Sequence, residues 1–230
     1  MSTKCSIKLV NDHLIITENG QNILVDTGSP KSFHPSGTIV LGENPIPVQT
    51  NYAGVTPEYL SEKVGCEIHG MLGMDIIGSI PILFDLKNGQ MVLDDNAVYT
   101  DHFMKFPLGQ IAGGLIAITI SVNGRTANVI LDTGAPISYI LPSFVAGLEC
   151  VEIMNDFHPN IGDFKTKTFN CEVDTQTGHE RYSQRFGVPP QKVSKTLEGF
   201  NIDGIIGIEL FKRFKLQIRN GIVYLPPQGA

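Results

Sequence analysis

One eleven-residue pattern occurs twice in this 230-residue chain. The first copy is Ile23-Leu-Val-Asp-Thr-Gly-Ser-Pro-Lys-Ser-Phe33, and the second is Val129-Ile-Leu-Asp-Thr-Gly-Ala-Pro-Ile-Ser-Tyr139. Asp132 follows Asp26 by 106 positions, close to half the chain. A lone Asp-Thr-Gly would read as a capped turn, because Asp and Gly are ordinary turn residues. Two copies in register, each behind three apolar residues, mark an internal repeat instead. A repeat constrains the fold more than any composition does.

The repeat extends further. Ile68-His-Gly-Met-Leu-Gly-Met-Asp-Ile-Ile77 aligns with Ile202-Asp-Gly-Ile-Ile-Gly-Ile-Glu-Leu-Phe211. Phe84-Asp-Leu and Lys87-Asn-Gly then align with Phe214-Lys-Leu and Arg219-Asn-Gly. Each half reads as a strand, Asp-Thr-Gly, a variable middle, an apolar-apolar-Gly segment, a short helical turn and a closing hairpin.

On these motifs the chain resembles the aspartic peptidases of the pepsin and retropepsin superfamily, as two retropepsin-sized units in tandem. The resemblance implies an all-β fold of two pseudo-twofold-related lobes with short helices, divided here as residues 1–108 and 109–230. It implies an aspartic endopeptidase in which Asp26 and Asp132 activate a water between them. Thr27, Gly28, Ser29, Thr133, Gly134 and Ala135 would support the two loops, with the Thr hydroxyls bracing them across the seam. Leu72-Gly73 and Ile206-Gly207 would lie beneath, and Ser32 and Ser138 would brace the loops further. The alternative is a catalytically silent peptide-binding module of the same fold; retention of both aspartates favours the enzyme. A small-molecule carrier in a β-barrel would explain neither repeat nor motif.

The chemistry asks for two carboxyls. At close range both cannot ionise, so they share one proton. The ionised member takes a proton from water, and the protonated member polarises the peptide carbonyl. Gly after Asp-Thr is expected to let the loop turn tightly. The copies differ next, Ser29 against Ala135. In the family a hydroxyl there can donate to the neighbouring aspartate, which favours its charged form. Asp26 is therefore expected to be the ionised partner and Asp132 the proton holder.

Composition excludes several other classes. A net charge of −6 argues against a nucleic-acid partner. No run approaches the roughly 18 apolar residues of a membrane span, and Met1 to Lys8 lacks the apolar core of a secretory signal. A cytoplasmic monomer acting on peptides or unfolded protein is expected, with Cys5, Cys66, Cys150 and Cys171 as free thiols. The six His show no metal-ligand spacing, and no metal or cofactor is implied. His34 and His69 read as surface or loop residues. His69 differs from its twin Asp203, so that position is not expected to be essential to both halves. Asp75 and Glu209 read as polar residues on helix sides.

Along the chain, strands are expected at 6–10, 13–17 and 22–25, with Asn-Gly turns at Asn19, Asn88, Asn123 and Asn220. Thr38 to Thr50 predicts a short hairpin, with Tyr52 just beyond it. Thr56-Pro-Glu predicts a helix through Val64, capped by Thr56 and stopped by Gly65. A strand is expected within 94–114. The second half has the longer middle: 75 residues separate Asp132 from Gly207, against 47 between Asp26 and Gly73. Alternating arms at 165–173 and 179–188 predict a hairpin there. Its tip, Thr175, Gln176, Thr177 and Gly178, is the expected substrate cover.

Overall fold

Left-handed turn residues divide the chain into strands. Asn11, Asp12, Asn19 and Asn123 all have positive φ, and Gly follows Asn at 20 and 124. These turns match the strand twist and close tight hairpins. The computed structural model describes residues 3–93, 104–107, 114–158, 161–175, 181–219 and 221–226.

The first half begins with β1 (Thr3–Val10), β2 (His13–Glu18) and β3 (Gln21–Val25). The hairpin β4 (Thr38–Leu41) and β5 (Asn44–Pro47) follows, then α1 (Pro57–Val64), β6 (Gly70–Leu72) and α2 (Met74–Ile77). The strands β7 (Ile82–Asp85) and β8 (Gln90–Leu93) come next, and β9 (Met104–Pro107) lies in the connecting stretch. The second half has β10 (Ala117–Val122), β11 (Arg125–Leu131), β12 (Ser138–Ile140), β13 (Glu152–His158), β14 (Gly162–Asp174) and β15 (Arg181–Gly187). It closes with α3 (Gln191–Gly199), β16 (Gly204–Ile206), α4 (Ile208–Arg213), β17 (Leu216–Arg219) and β18 (Ile222–Leu225).

The fold is all-β with a few short helices. One sheet of nine strands runs β6-β3-β2-β1-β8-β7-β17-β18-β9, so the last two strands of the chain complete a sheet begun by the first half. A second sheet of seven runs β10-β11-β16-β12-β15-β14-β13. The strand expected within 94–114 is β9, antiparallel to β18; most of that stretch lies outside the described residues.

The apolar runs before each Asp-Thr-Gly are continuous because both faces of their strands are covered. Ile23 and Val25 point into the main core, while Leu24 joins Ile15, Leu60 and Val64 beneath α1. In the second half Val129 and Leu131 join the main core, while Ile130 packs with Leu197 and Ile202 beneath α3. Helix α1 has the expected ends: Tyr59 N–H donates to Thr56 Oγ1 at 3.2 Å, and Gly65 takes φ 78° to stop the helix. Burying Leu60 and Val64 contributes about 1.5–3 kcal/mol each. Truncating Leu60 to Ala would cost about 2–5 kcal/mol and loosen the helix from the sheet. The helix α3 was not foreseen, because its polar sequence carries only a narrow apolar face.

Candidate active site

Each Asp-Thr-Gly begins where a buried strand ends. Strand β3 runs parallel to β6, and Asp26 N–H donates to Leu72 O at 3.0 Å. Strand β11 runs parallel to β16, and Asp132 N–H donates to Ile206 O at 2.9 Å. The loops then fold back onto the following helix: Met74 N–H donates to Ser29 O at 2.8 Å, and Ile208 N–H to Ala135 O at 3.0 Å. A Cβ on Gly73 would lie 2.5 Å from Lys31 O, and one on Gly207 would lie 2.2 Å from Ala135 O. These two glycines let the apolar-apolar-Gly segments pass directly beneath the loops.

The serines differ in what they hold. Ser32 Oγ donates to Asp75 Oδ1 at 2.6 Å and accepts from Gly73 N–H at 2.8 Å. Asp75 is therefore a loop brace rather than a helix-side polar residue. Ser138 Oγ accepts from Gly207 N–H at 2.9 Å and from Gln184 Nε2 at 2.6 Å. Glu209, the twin of Asp75, instead pairs with Lys212, which also reaches Asp12.

Two further positions correct the sequence reading. His69 Nδ1 accepts from Asn22 N–H at 3.1 Å, and Asp203 Oδ2 accepts from Asn128 N–H at 2.8 Å. Both side chains hold the backbone four residues before an aspartate, so the position does one job with two chemistries. His34 is buried rather than on the surface, with Nδ1 2.7 Å from Ser36 Oγ. Burial, and then the nearby His69, lower its pKa.

Thr27 and Thr133 join the loops, and both are fully buried. Thr27 N–H donates to Thr133 Oγ1 at 3.1 Å, and Thr133 N–H donates to Thr27 Oγ1 at 2.9 Å. Each hydroxyl then donates across the seam, Thr27 to Leu131 O and Thr133 to Val25 O, both at 2.8 Å. Four reciprocal bonds fix the two strand ends against each other, and with them the two carboxyls.

Asp26 and Asp132 face each other, each carboxyl set against the other loop's glycine, Gly134 and Gly28. Gly28 N–H donates to Asp26 Oδ1 at 2.9 Å, and Gly134 N–H to Asp132 Oδ1 at 2.8 Å. Burial raises the pKa of both carboxyls, and the charge of Asp132 raises that of Asp26 further. Each carboxyl thus receives one backbone N–H from its own loop, and backbone donors oppose the rise in both. The Ser29 hydroxyl does not serve Asp26; it donates to Lys31 O at 3.0 Å. The reason for expecting Asp26 to be the ionised partner therefore falls away. The role of the glycines also changes. Neither Gly28 nor Gly134 has positive φ. Each is Gly because the opposite carboxyl occupies the place of a Cβ.

Both carboxyls lie on a cleft of about 420 Å³. A tight turn, Tyr52-Ala-Gly-Val55, lines one side, with Ala53 and Gly54 both at positive φ. The Tyr52 phenol has a raised pKa from burial and then from the charges of Asp26 and Asp75, which places it beside the first loop. The hairpin β4–β5 is absent from the cleft lining. It packs Ile39 and Leu41 into the core, and Gly42 lies against Thr3.

The hairpin that reaches the cleft from the second half is β13–β14, through Asp156, Phe157, His158 and Phe164. It crosses to α1: Lys63 Nζ lies 2.9 Å from Asp163 Oδ1, and the Tyr59 and Phe157 rings meet edge to face with centroids 6.2 Å apart. It is tied to its own half by a hydrogen bond from the Tyr139 hydroxyl to Asp156 Oδ2.

Of the expected cover, Thr175 to Gly178, only Thr175 is among the described residues. The predicted arms do pair, as β14 and β15. Strand β14 ends where Asp174 pairs with Ser121, four residues along β10 from Ala117. That is about 13 Å from the end of β10 beside the Asp132 loop. Thr175 is buried there and does not line the cleft; Gln176, Thr177 and Gly178 lie outside the described residues. Strand β13, which makes the hairpin at the cleft end, gave no clear alternation in the sequence. Tyr52, Lys63, Tyr139, Asp156, Phe157 and Phe164 were not singled out as cover residues either. The closely spaced Phe157 and Phe164 were the one signal for the hairpin, and no local signal marked Tyr52, Lys63 or Tyr139.

Among the described residues no group of three or more His, Cys, Asp or Glu is placed to hold a metal ion. No helix there is long and apolar enough to cross a membrane, and all four cysteines are free.

No protein-family model matches the sequence, and no curated protein matches it. Among solved structures the chain is similar to a retropepsin-like aspartic protease from Rickettsia conorii. The match has 14% identity and a TM-score of 0.37, over 56% of this chain and 94% of that one.

Proposed function

We propose that this protein is an aspartic endopeptidase that hydrolyses peptide bonds with a water activated between Asp26 and Asp132. The observation that carries this reading is the contact between the two carboxyls, braced from beneath by Thr27 and Thr133 at the floor of a cleft. The ionised carboxyl of the pair takes a proton from the water as it attacks the peptide carbonyl. The protonated one donates to the carbonyl oxygen as charge develops there. The proton gained from the water then passes to the leaving nitrogen as the C–N bond breaks, and the hydroxyl formed from the carbonyl oxygen returns its proton to the carboxyl that gave it. Peptide enters between the Tyr52–Val55 turn and the β13–β14 hairpin, which exclude bulk water and strengthen each of these contacts.

The test is incubation of the purified protein with a mixed peptide library across pH 3 to 7, with and without a statine-type inhibitor. Inhibitor-sensitive internal cleavage, lost in both Asp26→Asn and Asp132→Asn, is the expected result. Binding of peptides without cleavage at any pH would leave a peptide-binding module in place of the enzyme.

A further inference from the structure

A second cavity, about 540 Å³, opens beside the cleft. Five residues line both spaces and so form the neck between them: His13, Pro136, Asp156, Phe157 and Phe164. Pro136, Phe157 and Phe164 give the neck apolar walls, and His13 and Asp156 supply its polar groups.

Both polar groups present acceptors. The Asp156 carboxylate accepts from the Tyr139 hydroxyl and, through Oδ1, from Phe157 N–H at 2.8 Å. A carboxylate has about four lone-pair positions, so acceptor capacity remains. His13 is 5% exposed. Its Nδ1 lies 2.8 Å from Asn11 O, which can only accept, so Nδ1 carries the proton. In the neutral ring Nε2 then offers a lone pair, and it is buried with no hydrogen-bond partner among the described residues. A buried acceptor of this kind is costly unless a ligand donor meets it.

The formal charge in the main cleft has one sign. Its acidic side chains are Asp156 and the proton-sharing pair Asp26 and Asp132, and no Lys or Arg lines it. In the second cavity Lys63 and Lys165 oppose Asp156 and Asp163, and Lys63 is already paired with Asp163. A side chain leaving the dyad through the neck therefore meets apolar walls first and an acidic, acceptor-rich point next. A long apolar stem with a cationic end fits that sequence of environments.

We infer that the neck between His13 and Asp156 is a subsite for a Lys or Arg side chain of the peptide substrate, so that the enzyme prefers a basic residue at one fixed position near the scissile bond. This rests on the endopeptidase reading of the cleft. Asp156 supplies the charge, His13 a second acceptor, and Tyr139 holds Asp156 in place.

The experiment compares peptide libraries identical except for Lys, Arg, norleucine or Glu at each position in turn. At one position kcat/KM for Lys or Arg should exceed that for norleucine by at least about tenfold, the effect of one hydrogen bond to a charged group, with Glu poorest. Asp156→Asn should bring the Lys-to-norleucine ratio close to one. Asp156→Lys should turn the preference toward Glu. The ratio is internal to each protein, so a general loss of activity does not imitate the result. Cleavage with no basic preference at any position, or a ratio unchanged in Asp156→Asn, overturns the subsite and leaves the endopeptidase standing. If a variant fails to fold, the wild-type scan alone still decides. In parallel, Asp26→Asn protein is titrated with labelled Lys and norleucine libraries and read by anisotropy. Tighter Lys binding without cleavage by the parent would overturn the endopeptidase and keep the subsite; equal binding would overturn the subsite.

Discussion

A Cβ on Gly28 would lie 2.3 Å from Cγ of Asp132. Gly134 stands in the same relation to Asp26, at 2.7 Å. Each loop thus supplies a carboxyl and the empty space that receives the other loop's carboxyl. Gly28→Ala should push Asp132 out of register. Hydrolysis should fall by about a hundredfold, the usual cost of misplacing a reacting group by about 1 Å. Stability should fall by roughly 1–3 kcal/mol from overpacking. Gly199→Ala, with open space around its Cβ position, is the control. Steady-state kinetics and thermal melts of the two variants make the comparison.

The threonine brace predicts a split between two substitutions. Thr27→Val removes the hydroxyl and leaves Thr133 N–H and Leu131 O buried without partners. The cost should be roughly 2–4 kcal/mol. Thr27→Ser keeps the hydroxyl and loses a methyl, about 1 kcal/mol. Urea unfolding should rank them in that order; equal loss in both would mean that the methyl, not the hydroxyl, matters.

Asp26→Asn should abolish hydrolysis, by at least about a hundredfold, yet stabilise the fold at pH 7. The sign follows from linkage. Asp26 has a raised folded pKa, so as pH rises through the unfolded value, near 4, the unfolded chain releases a proton that the folded chain keeps. Unfolding is thereby favoured. Asn removes that drive. The melting temperature of the variant should exceed that of the parent at pH 7, and the two should converge below about pH 4. Activity of the parent should also fall as pH rises through the upper apparent pKa of the pair, above the ordinary carboxylate range.

Lys63 and Asp163 hold the β13–β14 hairpin to α1 with 21% and 79% of their side chains exposed. An exposed pair is weak and screened by salt, which suits a cover that must open for each substrate. Lys63→Met should raise KM a few-fold at low ionic strength and leave kcat nearly unchanged. The difference from the parent should shrink in high salt. A Lys63→Met protein indistinguishable from the parent at low salt would leave the pair a surface contact.

One chain brings both carboxyls together, so specific activity should be independent of protein concentration. Dilution series with sedimentation at each concentration check this. Activity falling with the square of concentration would mean that two chains build each site.

The sequence by itself determined the elements that depend on local chemistry. Asn-Gly pairs closed the hairpins because they tolerate positive φ. Thr56 and Gly65 bounded α1 because they satisfy its end groups. The doubled Asp-Thr-Gly pointed to Asp26 and Asp132 because repetition in register is visible without coordinates. The identity of β14 and β15 was legible for the same reason, since alternation is a local property.

Tertiary structure decided whatever depends on which parts of the chain meet. No pattern in the sequence says that β14 meets Lys63 of α1 at its start and pairs with Ser121 of β10 at its end; strand order and register set that. Nor could residue types assign the shared proton. Ser29 and Ala135 suggested an answer, but its premise failed once the Ser29 hydroxyl turned to Lys31 O. The glycine at 28 was visible as a turn residue, while its actual constraint, a carboxyl 106 positions away filling the space of its side chain, exists only once the two loops are packed together.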